Sequence, residues 1–408
     1  MNRREFLATT ASAALIGRAS LAWAEAQPAE VKIGTIQPLS GPWARPGQIA
    51  LAGAQLAVDD INANGGIKAL GGAKIKLVVA DGGDSPDKMK TAAQRLLSDN
   101  PDMIGGMGGY VSSFTLAITE ITERGELPWI DFAYADLLTG RGFKYVFQTS
   151  PTGGQQAEAA LPTIVDLIKS TGKSMPSNAA IVMDNTPSPQ SFSKGIREGG
   201  LAKYGMNLAV DEIFTPPLSD ASTIAQRVRA ARPGLLIFLP TATSDIKLVL
   251  EKLSEVGLNR SRLPVLANGS PMGASDLLRI AGKDTMEGVM FIATDWEQKN
   301  TTDIADRFKK KTNEPWMSQD ALMNYGHVYI LKEALESTAS TDKQKINQAL
   351  HAMDLTSGPA MWFPGKRIKF EESGRIVGAP IVIVQWQGGV PRVVFPLDIA
   401  TAKLNWGS

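Results

Sequence analysis

VKIGTIQPLSGPWARPGQIALAGAQLAVDDINANGGI, residues 31–67, is the stretch that decides the fold of this chain. It opens with an apolar run, Val31 to Ile36, of the kind that forms a strand buried on both faces. Prolines and glycines over residues 38–47 then require a turn-rich loop, and apolar residues from Ile49 to Ile61 recur at helical spacing. Asn64-Gly65-Gly66 ends the helix with residues that tolerate a left-handed backbone. The pattern predicts the first strand–loop–helix unit of an open parallel sheet, a fold in which ligands bind at the carboxyl ends of the strands.

Two motifs within this stretch carry a family resemblance. PLSGP at residues 38–42 and AVDDINANGGI at residues 57–67, at this spacing, resemble the opening of the type I periplasmic binding proteins. More narrowly, they are similar to the branched-chain amino-acid (leucine/isoleucine/valine)-type receptors of ABC importers, over roughly residues 31–394. The resemblance implies an α/β fold of two doubly wound parallel-sheet lobes, joined by a three-crossing hinge that closes around a ligand.

Length and pattern also favour two lobes. A chain of 408 residues, 43% hydrophobic and 20% charged, is too long for one ordinary core and has the composition of a soluble globular protein. Strands alternate with helical patterns over residues 75–149 and again over 179–293, which predicts parallel sheets. Within these ranges we expect a strand at residues 103–106, a helix at residues 112–124 and a strand at residues 235–239. Gly388-Gly389 joins a C-terminal hairpin. With the crossings that the resemblance implies, we expect an N-terminal lobe of residues 25–149 and 295–378 and a C-terminal lobe of residues 150–294 and 379–408.

The first 24 residues have the features of an export signal. Arg3-Arg4 within NRREFL resembles the twin-arginine motif, an apolar stretch follows, and Ala22-Trp23-Ala24 is a small-x-small cleavage site. Arg18 inside the apolar stretch leaves the general secretion route open. We expect cleavage near Ala24 and a periplasmic protein. The absence of cysteine excludes disulfides, thiol chemistry and a lipoprotein anchor, and a net charge of +1 gives no case for nucleic acid.

Residues suited to catalysis or metal binding have simpler explanations. His327 lies in the apolar stretch MNYGHVYIL, which favours a packed structural histidine over a general base. Asp81 and Asp84 flank a glycine pair, and turn chemistry explains them better than a metal site. No nucleophile elbow, zinc-protease or P-loop motif occurs. We expect a binding protein without catalytic residues, metal or cofactor, acting as a monomer.

The first lobe supplies most of the candidate binding residues. In the family, a serine in a loop before a helix and the backbone of the following strand end hold the ligand's carboxylate. Ser112-Ser113 and Phe132-Ala133-Tyr134 occupy the matching positions, although a plain N-cap role for the serines stays open. The glycine-rich run 105–109 favours backbone that approaches a ligand. The residues expected around the ligand from this lobe are Trp43, Arg45, Tyr110, Ser112, Ser113, Phe132, Ala133 and Tyr134.

The second lobe departs from the amino-acid binders. Its candidate contacts are Ser188, Thr241 and Asn268, and where the family carries an aromatic and an acidic residue this chain has Ser188 and Asn268. Without that carboxylate a buried ammonium would be unpaired, which argues against a free amino acid. Trp43, Tyr110 and Tyr134 are suited to sandwich a flat body, with Arg45 on its carboxylate. The alternative is that the aromatic residues pack between loops and Arg45 is solvated.

We therefore expect a periplasmic substrate-binding protein of an ABC importer. It would capture a small carboxylate-bearing solute, aromatic or apolar rather than a free amino acid, and present it to the inner-membrane permease. A branched-chain amino-acid or amide/urea receptor, and a ligand-sensing subunit of a signalling system, remain the alternatives.

Overall fold

The computed structural model describes residues 28–259 and 262–406, so the predicted export signal lies outside the described residues. The first lobe is built on a five-stranded parallel sheet in the order β2-β1-β3-β4-β5. Its strands are β1 (Glu30–Gln37), β2 (Lys74–Asp81), β3 (Gly105–Gly108), β4 (Trp129–Asp131) and β5 (Val146–Gln148). The helices between them are α1 (Ala44–Ala63), α2 (Pro86–Asp99), α3 (Ser112–Arg124) and α4 (Leu137–Gly140).

The second lobe repeats the pattern on a larger sheet. Its parallel strands follow the order β10-β9-β8-β6-β7. In chain order the elements are α5 (Gly153–Ser170), β6 (Asn178–Asp184), α6 (Pro187–Gly195), β7 (Asn207–Phe214), α7 (Ser222–Ala231), β8 (Leu235–Leu239), α8 (Thr243–Glu255), β9 (Val265–Asn268), α9 (Asp276–Ile280), α10 (Lys283–Met286) and β10 (Met290–Ala293). Buried apolar clusters lie on both faces of this sheet, as they do on the first, so each lobe is doubly wound.

After β10 the chain returns to the first lobe. The returning elements are α11 (Thr302–Thr312), α12 (Gln319–Thr338), α13 (Lys343–Ala352) and the short pair β11 (Asp354–Leu355) and β12 (Ile368–Lys369). Apolar residues of α12 share one core with those of α1 and β1. The two helices approach so closely that a Cβ on Gly53 would lie 2.1 Å from the carbonyl oxygen of Ala321. Only glycine permits this contact between backbones.

A third passage brings the chain back to the second lobe as an antiparallel hairpin. Strands β13 (Val382–Gln387) and β14 (Val390–Phe395) extend the sheet from β10. Gly388 and Gly389 form the turn with φ of 67° and 85°, a conformation suited to glycine. The chain thus crosses between the lobes after β5, after β10 and before β13. No helix within residues 28–259 and 262–406 is long and apolar enough to span a membrane.

The second crossing is broader than a single boundary at residue 295. Trp296 is buried against Phe291 of β10, with ring centroids 5.1 Å apart. Trp316, between α11 and α12, packs on Trp386 at 5.5 Å and donates its Nε1–H to the carbonyl of Gly273 at 2.9 Å. Two indoles from the segment that we assigned to the N-terminal lobe therefore belong to the core of the C-terminal lobe, because large apolar rings are stabilised by burial wherever a core lies within reach.

Candidate functional site

The carboxyl ends of the two parallel sheets face each other across a cavity of about 50 Å³. The loops after β3 and β4 form one wall, the loops after β6, β8 and β9 form the other, and the start of α12 closes the side. The lining residues are Tyr110, Val111, Ser112, Phe132, Ala133, Tyr134, Ser188, Pro189, Leu239, Pro240, Thr241, Asn268, Gly269, Ser270, Pro271 and Gln319. Topology therefore brings together segments that are far apart in sequence, at the position where open α/β sheets bind ligands.

Most of the candidate residues named from the sequence meet at this cavity. Those that line it are Tyr110, Ser112, Phe132, Ala133, Tyr134, Ser188, Thr241 and Asn268. Trp43, Arg45 and Ser113 are not among its lining residues.

Trp43 joins the two lobes instead of forming a cavity wall. Its side chain is buried, and its ring packs edge-to-face on Phe114 with centroids 5.2 Å apart. Its Nε1–H donates to the backbone carbonyl of Thr241, in the opposite lobe, at 3.2 Å. This geometry matches the alternative in which Trp43 packs between loops.

The side chain of Arg45 is 43% exposed and does not line the cavity. Its guanidinium pairs with Asp276 at 3.2 Å and with Glu314. Two carboxylates thus compensate its charge, and the expectation that it pairs with a ligand carboxylate does not hold in this structure. Because Asp276 belongs to the second lobe, the ion pair is another link between the lobes.

Ser112 has the surroundings expected of an anion site. It is 2% exposed, and its Oγ accepts a hydrogen bond from the N–H of Ala135 at 3.2 Å, which leaves its own hydroxyl hydrogen to donate. Val111 is the residue before α3, and no side chain caps the helix, so the plain N-cap role for the serines is wrong. The first N–H groups of a helix have no acceptor within it and carry partial positive charge. Hydroxyl and helix terminus therefore favour an anionic group at this wall.

The glycine-rich run before α3 serves packing within the chain. A Cβ on Gly106 would lie 2.3 Å from the ring of Trp129, and one on Gly109 would lie 2.2 Å from Oγ1 of Thr115. The space beside these glycines is filled by protein atoms. Neither glycine lines the cavity, and the approach of this backbone to a ligand stays a prediction. The side chain that reaches the cavity from this run is that of Tyr110, at a left-handed φ of 65°.

Polar groups of the second lobe are mostly bound to one another. Both carboxylate oxygens of Asp184, at the end of β6, accept hydrogen bonds, from Thr186 on one side and from the N–H and hydroxyl of Thr241 at 2.7 and 2.6 Å on the other. Burial raises the pKa of Asp184. Asn268 donates its amide N–H to Oε1 of Gln156 at 2.6 Å. These bonds fix the loops that carry Thr241 and Asn268 rather than offering a free carboxylate.

The start of α12 supplies two residues that the sequence reasoning missed. Oε1 of Gln319 accepts from the hydroxyl of Tyr134 at 2.9 Å and from the N–H of Thr294 at 2.7 Å, so it links the cavity wall to the second crossing. Asp320 is 4% exposed, and burial raises its pKa to about 7, with Ser270 opposing that rise. Ser318-Gln319-Asp320 is a polar triplet directly before the apolar run Ala321-Leu322-Met323, and this contrast was the available signal.

Groups considered for catalysis or metal binding have structural partners. His327 is fully buried, its Nε2 lies 2.7 Å from Oγ1 of Thr149, and burial lowers its pKa to about 3. It is a packed histidine, as predicted. Asp81 accepts from the N–H groups of Leu39 and Gly83 at 2.9 and 2.8 Å, which confirms the turn interpretation.

Two doubly wound lobes, three chain crossings and a cavity at the facing strand ends define a two-lobed solute-binding fold of type I. The chain belongs to the periplasmic binding protein family, whose model matches residues 30–390. The predicted fold class and the resemblance to the branched-chain amino-acid type are thereby confirmed.

Known relatives agree with this placement. Leu/Ile/Val-binding protein homolog 7 of Brucella melitensis is 27% identical, over 96% of this chain and 98% of that protein. The branched-chain amino acid transporter substrate-binding protein LivJ from Streptococcus pneumoniae, in complex with isoleucine, has a TM-score of 0.77 at 19% identity and covers 89% of this chain and 97% of its own. A solute-binding protein of an ABC transporter from R. palustris, in complex with benzoate, has a TM-score of 0.74 at 16% identity and covers 92% and 98%. The two structural likenesses concern the fold.

Proposed function

We propose that this chain is the periplasmic substrate-binding protein of an ABC importer. It captures a small carboxylate-bearing solute with an aromatic or apolar body and presents the closed, loaded form to the inner-membrane permease. The export-signal features of residues 1–24 support the periplasmic location. The proposed lobes keep the boundaries predicted from the sequence, with the second crossing shared between them.

The observation that carries this proposal is the contrast between the two kinds of cavity wall. Ser112 and the start of α3 offer hydrogen-bond donors and partial positive charge. The remaining walls are largely apolar or aromatic and include Phe132, Tyr134 and Leu239. A ligand with one anionic end and an apolar body matches both, because the anion replaces its hydration with fixed donors while the body is removed from water.

A branched-chain amino acid is the second candidate, and a specific observation favours it. The sequence argument against an ammonium depended on the missing acidic residue after β9, where Asn268 indeed stands. Another carboxyl, that of Asp320, directly follows the lining residue Gln319 and neighbours the lining residue Ser270. A buried carboxyl is a possible partner for an ammonium, so the missing residue no longer excludes an amino acid.

Thermal unfolding of the exported protein against a ligand panel tests the proposal. The panel contains benzoate, hydroxybenzoates, leucine, isoleucine, acetamide and urea. A ligand at 100 times its Kd stabilises the native state by about 2.7 kcal/mol. We expect aromatic or apolar carboxylates to raise Tm and their amides to have little effect, and we expect Ser112→Ala to weaken every carboxylate that binds. Stabilisation by acetamide or urea alone would overturn the proposal.

A further inference from the structure

Three polar side chains from distant parts of the chain meet at one wall of the cavity. Tyr110 follows β3 in the first lobe, Ser270 follows β9 in the second lobe, and Asp320 lies in the first turn of α12. Tyr110 and Ser270 line the cavity, as does Gln319, the residue before Asp320. Ser270 lies close enough to Tyr110 and Asp320 to stabilise the charged form of each. We call these three residues the Tyr110–Ser270–Asp320 cluster.

Two atoms of the cluster are buried without a hydrogen bond. By strict geometry the hydroxyl of Tyr110 and Oδ1 of Asp320 have no hydrogen-bond partner in the described part of the chain. Ser270 is a neighbour of both, but its single hydroxyl hydrogen can serve only one of them at a time. Nor does any lysine, arginine or histidine among the described residues form an ion pair with Asp320. Burying a polar group without a partner lowers stability. Tyr110 lines the binding cavity, and Asp320 directly follows Gln319, which also lines it. A ligand in the cavity is therefore the candidate partner for both atoms.

We propose that the Tyr110–Ser270–Asp320 cluster binds a hydroxyl group of the ligand, so that the substrates are hydroxy-substituted carboxylates. This inference rests on the proposed function and narrows its substrate class. A hydroxyl both donates and accepts. It donates to Oδ1 of Asp320 and accepts from the hydroxyl of Tyr110, so one group satisfies both unpaired atoms.

An ammonium fits the cluster less well. It has no lone pair, so it cannot accept from Tyr110. It also adds a second charge to a buried site, and removing two charges from water opposes the attraction between them. The cluster further has donors and acceptors from both lobes, with Tyr110 on one and Ser270 on the other. A ligand hydroxyl that bridges them favours the arrangement in which the lobes are together.

Isothermal titration calorimetry on matched ligand pairs tests this inference. Benzoate is compared with 2-, 3- and 4-hydroxybenzoate, and 4-methylpentanoate is compared with 2-hydroxy-4-methylpentanoate and leucine. In the wild type we expect at least one hydroxy acid to bind about tenfold more tightly than its parent acid, the effect of one hydrogen bond to a charged group. In Tyr110→Phe and in Asp320→Ala we expect the ratio of the two Kd values, parent acid to hydroxy acid, to fall to within about threefold.

Tyr325→Phe is the matched control. This variant also loses a tyrosine hydroxyl, but the hydroxyl of Tyr325 donates to Asp60, and its ring belongs to the core of the first lobe. We expect it to keep the hydroxy-acid preference. Tyr110→Phe retains the ring, so it tests the inference even if Asp320→Ala folds poorly. Equal affinity for parent and hydroxy acids in the wild type, or a preference that survives in both variants, overturns the inference and leaves the proposed function intact. A preference for leucine that disappears in Asp320→Ala would show that the cluster binds an ammonium instead of a hydroxyl, and this result overturns the inference as well. If no carboxylate binds, the proposed function and this inference both fail.

Discussion

Replacing Trp43 by phenylalanine removes a single hydrogen bond between the lobes. The indole Nε1–H donates to the carbonyl of Thr241 at 3.2 Å, whereas the ring's edge-to-face contact with Phe114 is one that phenylalanine can retain. A hydrogen bond of this kind contributes about 0.5–1.5 kcal/mol net. Because the bond exists only when the lobes are together, its loss weakens ligand binding by the same free energy. We expect the Kd of Trp43→Phe to rise about 2- to 13-fold.

Trp386→Phe supplies the control for this prediction. Trp386 also donates its Nε1–H to a backbone carbonyl, that of Met272 at 2.8 Å, but both residues belong to the second lobe. We expect this variant to lower Tm and to leave Kd unchanged. Calorimetric titration of both variants with the same carboxylate, together with thermal unfolding, measures the two effects separately. An unchanged Kd in Trp43→Phe, or an equal rise in both variants, would refute the reasoning.

Three further substitutions test other parts of the structure. Arg45→Ala should leave discrimination between a carboxylate and its amide unchanged, since two protein carboxylates already hold this cation; a loss of discrimination in titrations would return Arg45 to the anion site. Burial raises the pKa of Asp131 from 3.8 to about 8, so its contribution to the free energy of unfolding is complete below about pH 4 and is lost as pH rises to 8. Asp131→Asn should therefore reduce the fall of this free energy over that range, by up to about 1.4 kcal/mol per pH unit. The same dependence on pH in wild type and variant, measured by denaturant unfolding, would contradict this. Gly269 has a φ of 99°, and an added methyl would lie 3.7 Å from the ring of Tyr134, so Gly269→Ala should cost about 1–3 kcal/mol of stability through backbone strain, against which an unchanged Tm would count.

The local sequence pattern was sufficient to predict most of the helices and strands. Residues 112–124 and 235–239 were predicted as a helix and a strand, and α3 and β8 have these bounds. In both cases the apolar periodicity matches the side that is buried in the fold, so local propensity and tertiary packing favour the same type of secondary structure. The strand predicted at residues 103–106 is displaced to Gly105–Gly108, where Gly106 lies directly against the ring of Trp129.

Contacts between residues far apart in sequence could not be predicted at the site. Arg45 meets carboxylates 231 and 269 residues further along the chain, and no local signal distinguishes such an arginine from a solvated one. Asp320 was not predicted because it does not follow a strand; it lies in the first turn of a helix that returns to the first lobe after the second crossing. The loops after β3, β4 and β9 were found because the topology of a parallel sheet places their strand ends on one edge. Which of these residues touch the ligand remains a prediction.

The backbone contact between Gly53 and Ala321 sets the position of the first turn of α12, which forms one side of the cavity. Ala321 directly follows Gln319 and Asp320, so any side chain larger than hydrogen at position 53 must push the first turn of α12 outward. That displacement would move Gln319, a lining residue, and Asp320 relative to the rest of the cavity, although no residue of the lining is itself substituted. Ligand preference in this protein can therefore drift through substitutions on the outer helices, and variants selected for a new substrate should be searched there as well as in the pocket.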